Sequence, residues 1–112
     1  MNSKKSIGDG GEAQAVKYLK KKKYEIVARN LRTKYGEIDI IARKDGVYVF
    51  VEVKRRTTDA FGKGFEAVDH RKQEKIRNSA LLYCQINNIE ALCRFDVISI
   101  DSGEITHIEN AF

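Results

Sequence analysis

The sequence contains no proline, no internal repeat and no low-complexity linker, so nothing in it marks a domain boundary. It has only two cysteines, Cys84 and Cys93, both in apolar surroundings. Two cysteines make no disulfide framework, and the expectation is reduced core thiols in a cytoplasmic protein. A Cys84–Cys93 pairing has no sequence support. No apolar run nears the roughly 20 residues that span a bilayer, so no membrane partner is expected. The lysines near Met1 precede no apolar stretch, which argues against a signal peptide. The 112 residues suit a single domain, 1–112. A chain of that length buries one core but not two.

What is present is charge. Of the residues, 42% are hydrophobic and 33% charged, a globular balance with raised charge content. The net charge of +5 is unevenly placed: residues 1–78 hold 20 Lys/Arg against 11 Asp/Glu, and residues 79–112 hold 1 against 5. A basic share of this kind favours a polyanionic partner, because neutralised phosphates release counterions. A solvated basic face would have the same composition.

Hydrophobic periodicity places the elements. Residues 9–23 read as a helix, with Asp9 as N-cap, an apolar stripe of Ala13, Ala15, Val16 and Leu19, and Lys20–Lys23 at its C-terminal dipole. Residues 24–31 alternate loosely, as a strand does. Residues 36–43 form a second strand, with Ile38, Ile40 and Ala42 on one face. Residues 47–54 form a third, with Val47, Val49, Val51 and Val53 on one face. Asp45-Gly46 between them is a hairpin signal. Residues 67–86 read as a second helix, residues 93–101 as a fourth strand, and 104–109 as a short fifth. The order predicts an α/β fold, a mixed central sheet flanked by helices, with the second helix as a parallel crossover. Thr57 to Gly64, rich in Thr and Gly, reads as a loop, either a simple connection or a flap over substrate.

The hairpin brings chemistry together. Residues two apart on a strand share a face, so Glu37 and Asp39 point one way, and Glu52 and Lys54 lie opposite the valines with Tyr48 and Phe50. With Asp45 and Gly46 as the loop, Lys44 pairs with Val47, Asp39 with Glu52, and Glu37 with Lys54. Opposed side chains have Cβ atoms roughly 4.5–5.5 Å apart, so two carboxylates there repel. A divalent cation, Mg²⁺ or Mn²⁺, resolves that repulsion with hard oxygen ligands. The ordinary alternative is two solvated acids. Against it stand the aromatic residues on the same face, the nearby Lys54, and the strongly apolar strands.

Other residues are candidates with two readings. Glu12 shares the inward face of Val16 and Leu19 and could reach the sheet as a third acid; Asp9-x-x-Glu12 also resembles a capping box. Gln73, three residues before Ile76, either touches the site or is a boundary residue. Arg55, Arg56, Arg71, Lys72 and Lys75 are candidate phosphate contacts, and each also reads as plain surface charge. His70 has no partner that the sequence identifies.

Asp39, twelve intervening residues and Glu52-Val53-Lys54 together resemble the PD-(D/E)XK nuclease core, with Ile38 where that pattern carries proline. More closely, Gly36-Glu37-Ile38-Asp39-Ile40-Ile41-Ala42, Val51-Glu52-Val53-Lys54, Glu66-Ala67-Val68-Asp69, Lys72-Gln73 and Arg94-Phe95-Asp96-Val97 look like the YraN family, and Gly11-Glu12-x-x-Ala15-x-x-Tyr18-Leu19 fits its first helix. The resemblance covers nearly the whole chain. It implies a restriction-endonuclease-like αβββαβ core, similar to archaeal Holliday junction resolvases. It also implies metal ligation by Asp39, Glu52 and the Val53 carbonyl with help from Glu12, a catalytic Lys54, and Gln73 as an accessory site residue. Some nuclease families carry a tyrosine four positions after such a glutamine; Arg77 stands there in this chain. The likeness to resolvases implies a homodimer, since a symmetric junction needs two cuts.

The expected function is a Mg²⁺-dependent endonuclease on DNA, with branched or junction DNA as a candidate substrate. The alternatives are a non-catalytic nucleic-acid-binding protein with the same fold and a protein-interaction domain.

Overall fold

The Asp45-Gly46 turn sets the centre of the fold. Both residues have positive φ (52° and 78°), the geometry of a two-residue hairpin turn that matches the twist of its strands. The computed structural model describes the backbone of residues 3–56 and 69–112, and the side chains of 11–55 and 69–112. The Thr57–Gly64 stretch lies outside the described residues. The elements follow as α1 (Ser3–Lys21), β1 (Glu25–Thr33), β2 (Gly36–Lys44), β3 (Val47–Arg56), α2 (His70–Ile86), β4 (Cys93–Asp101) and β5 (Glu104–Ile108).

The strands form one mixed sheet in the order β1-β2-β3-β4-β5. The first three strands are an antiparallel meander, β3 and β4 are parallel, and β5 folds back antiparallel on β4. The parallel pair needs a crossover, and α2 supplies it. Alternation along the strands sends side chains to two faces. On one, Ala15, Val16 and Leu19 of α1 pack on Ile40, Ala42, Val49, Val51, Ile98 and Ile100. On the other, Ile76 and Ala80 of α2 pack on Ile38, Ile41 and Phe50. Among the described residues no helix is long and apolar enough to cross a membrane.

Four expectations change. The first helix begins at Ser3, so Asp9 lies inside it and does not cap it. Gly11 lies within that helix and packs closely on β3: a Cβ there would stand 3.1 Å from Arg55 Cδ. The second helix starts at His70, not 67, because Asp69 is extended (ψ 176°) and its carboxylate accepts the Lys72 N–H as N-cap. Ile38 and Ile40 do not share a face, since Ile38 packs toward α2 and Ile40 toward α1. The β1–β2 register runs unshifted through this stretch, from Ala28 opposite Ile41 to Thr33 opposite Gly36. Finally, Cys84 is only half-buried and Cys93 is exposed, so neither is a core residue. Their sulfurs are 3.8 Å apart and unbonded. Burial and the neighbouring Cys93 push the Cys84 thiol up to about 11, which leaves it little thiolate character.

Candidate active site

The site lies where the β2–β3 ladder ends. The β2–β3 ladder runs from Lys44 opposite Val47 to Ile40 opposite Val51, the register that the turn predicts. It stops one residue short of Asp39 and Glu52. Beyond it, the Val53 amide donates to Asp39 Oδ2 at 2.8 Å. This bond holds the Asp39 carboxyl toward β3, where it feels the charge of Glu52. Burial first, and the Glu52 charge second, push the Asp39 carboxyl from 3.8 up to about 7. Glu12 on α1 adds a smaller push in the same direction.

Glu52 is 3% exposed, on the same side of β3 as Phe50. A carboxylate so buried needs compensation, and two lysines approach the same oxygen. Lys54 Nζ lies 3.4 Å from Glu52 Oε2, and Lys72 Nζ lies 2.5 Å from it. Burial opposes the charge on Lys72, but its hydrogen bond to Glu52 and the Glu52 charge outweigh burial and raise its pKa. The expected Glu37–Lys54 pairing is absent. Glu37 faces Arg32 of β1 and bonds it at 3.3 Å, because the β2–β3 ladder has already ended.

Asp39, Glu52 and Lys72 open onto a cleft of about 410 Å³ between the start of β2 and the start of α2. Arg71 and Lys75 line it with Gly36, Glu37, Asp69 and Ile76. Of the predicted site residues, then, the structure brings Asp39, Glu52 and Lys54 together and places Arg71 and Lys75 at the rim of the cleft. Gln73 is half-buried and does not line the cleft. Arg55 is exposed at the end of β3. Arg56 ends the strand, and its side chain is outside the described residues. Glu12 is half-buried on α1 and reaches Asp39 through its charge. Among the described residues no three His, Cys, Asp or Glu side chains converge closely enough to hold a metal by themselves.

The sequence pattern suggests Lys72 as a phosphate contact and does not disclose its bond to Glu52. A signal is there: Lys72 precedes the buried Ile76 by four residues, so both lie on one helix face. Nor does the pattern disclose a second polar cluster. Asp96 is fully buried and receives Arg94 Nε and Nη2 at 2.9 and 2.8 Å, the Asn110 amide at 3.0 Å, and His107 Nε2 at 2.7 Å. Burial would raise the Asp96 pKa, but these donors outweigh it and hold the carboxylate below its ordinary value. Arg94 also bonds the Tyr24 hydroxyl at 2.7 Å, and His107 Nδ1 lies 3.1 Å from the Tyr18 hydroxyl. The cluster ties α1, β4 and β5 together with its donors and acceptors paired.

Residues 11–100 match the model of a family described as "Uncharacterised protein family UPF0102". The chain belongs to the UPF0102 family. This is the YraN family that its motifs resemble. A UPF0102 protein of Thermodesulfovibrio yellowstonii is 47% identical over 106 residues, covering 95% of each chain. One from Lachnoclostridium phytofermentans is 45% identical over 112 residues, covering 98% of this chain and 95% of the relative. One from Shewanella sediminis is 39% identical over 105 residues, covering 94% and 90%. The UPF0102 matches span nearly the whole chain and so take in α1, the hairpin and α2, the elements that build the cleft.

Proposed function

We propose that this UPF0102 protein is a Mg²⁺- or Mn²⁺-dependent nuclease of the restriction-endonuclease-like class, hydrolysing phosphodiester bonds of DNA. The observation that carries this reading is the Asp39–Glu52 pair: two adjacent carboxyls, mutually repelling, at the floor of a cleft rimmed by Arg71 and Lys75. The donor set fits the cation, since Mg²⁺ is commonly held by one or two carboxylates, with waters and substrate phosphate completing its shell. Asp39 and Glu52 would hold it, and the Val53 carbonyl beside them is a candidate third oxygen. A cation bound there would polarise the scissile phosphate and lower the pKa of a bound water.

The chain's own residues do the rest. The Val53 amide fixes the Asp39 carboxyl. Lys54, anchored on Glu52, carries positive charge to the site and offsets charge that develops on the phosphoryl oxygens. Arg71 and Lys75 hold the DNA backbone without reading its sequence.

The test is cleavage of linear and branched DNA with Mg²⁺ or Mn²⁺, comparing the native protein with Glu52→Ala. Cleavage by the native protein that the variant lacks supports the reading. DNA binding by both with cleavage by neither favours the second reading, a nucleic-acid-binding protein without catalysis. That second reading draws on Lys54 and Lys72, which compensate the Glu52 charge within the chain itself.

A further inference from the structure

We propose that Lys72 is a built-in competitor of the metal: its ammonium holds the Glu52 oxygen that the cation requires, and it is released to a DNA phosphate when the cation binds. The inference rests on the reading of Asp39 and Glu52 as metal ligands.

Geometry carries it. Lys54 and Lys72 both address Glu52 Oε2, at 3.4 and 2.5 Å. With Asp39 and Glu52 ionised, the two ammonium groups already neutralise the pair, so a divalent ion arriving beside both lysines gains no net attraction from it and finds Glu52 Oε2 already occupied. One lysine has to leave, and the structure indicates which. The Lys54 side chain is 21% exposed and comes from β3, inside the sheet. The Lys72 side chain is 43% exposed and lines the cleft. Its backbone is fixed, because its N–H is bonded to the Asp69 cap and Ile76 and Ser79 dock the same helix face. Only the flexible stem moves, and it can swing the ammonium into the cleft beside Arg71 and Lys75. A phosphate there would draw it off Glu52. Cation and DNA would then each favour the binding of the other, because a coupling between two ligands is reciprocal.

The experiment measures Mn²⁺ binding by calorimetry or electron paramagnetic resonance, without DNA and without turnover. Lys72→Met keeps the stem and removes the charge. It should bind Mn²⁺ about tenfold more tightly than the native protein, as expected for loss of a partly buried ion pair. Lys75→Met removes an equal charge from the same cleft and should change the affinity less than about twofold, as a solvent-exposed charge does. In the native protein, acylation of Lys72 by an activated ester, read by mass spectrometry, should rise on adding Mg²⁺, while that of Lys75 stays constant. This measurement needs no variant to fold. Equal effects of the two variants, or no effect of Lys72→Met together with unchanged Lys72 reactivity, would overturn the inference while leaving the metal site standing. No Mn²⁺ binding by native protein or variants would overturn both this inference and the nuclease reading.

Discussion

Asp39 sits between opposing demands. Its bond from the Val53 amide favours the carboxylate, while burial and Glu52 favour the neutral acid and prevail, raising its pKa from 3.8 to about 7. Because the folded value lies above the unfolded one, the stability contributed by the neutral acid is complete below about pH 4 and is lost as the pH rises through 7. Asp39→Asn removes that dependence and keeps an oxygen for the Val53 amide. With divalent ions chelated, the variant should exceed the native protein in stability by on the order of 2–4 kcal/mol at pH 8, with the gap closing near pH 4. Thermal melts across that range check it, and a gap independent of pH would refute it. At this scale the sequence is a good guide to Asp39, Glu52 and Lys54, because two-residue alternation and a two-residue turn leave little freedom. It is a poor guide to Asp96, whose cluster draws in Tyr24 through Arg94, 70 residues away, and His107 from another strand. No local pattern encodes such a contact.

Elements are readable where one periodicity rules. The strands begin and end within about two residues of their expected bounds, and the crossover through α2 follows from element order. Helix starts are harder. Asp9 looks like a cap, yet the helix continues through it to Ser3; Asp69 looks helical, yet it is the cap. Acidic residues suit both a cap and a first turn, so composition does not separate the two. The cap on α2 also positions chemistry, since the Asp69 carboxylate holds the Lys72 N–H at 2.9 Å. Asp69→Ala should cost about 1 kcal/mol of stability. It should also loosen the first turn of α2, measurable as faster amide exchange at Lys72 with β4 unaffected. Unchanged exchange there would show that the cap does not position Lys72.

Across the whole molecule, charge is divided as the fold is. The cleft draws on β2, β3 and α2, with every lining residue inside the basic first 78 residues, whereas β4 and β5 belong to the acidic remainder. DNA should therefore bind at the cleft end and weaken steeply with salt. Arg71→Ala combined with Lys75→Ala should lower the slope of log affinity against log salt by about 2, near one for each phosphate that is no longer neutralised. An unchanged slope would place the DNA elsewhere. The polarity of the chain is visible in the sequence; that it converges on one cleft depends on the register of the β2–β3 hairpin and the docking of α2.

That docking has a consequence in time. The β2–β3 hairpin closes over two residues, and such hairpins form in roughly 1–10 μs. Lys72 belongs to the crossover helix itself and arrives only as that helix docks on the sheet, through longer-range contacts that form more slowly. During folding, then, the two acids meet with only Lys54 of the same hairpin beside them, and the second counter-charge, Lys72, reaches the cleft later.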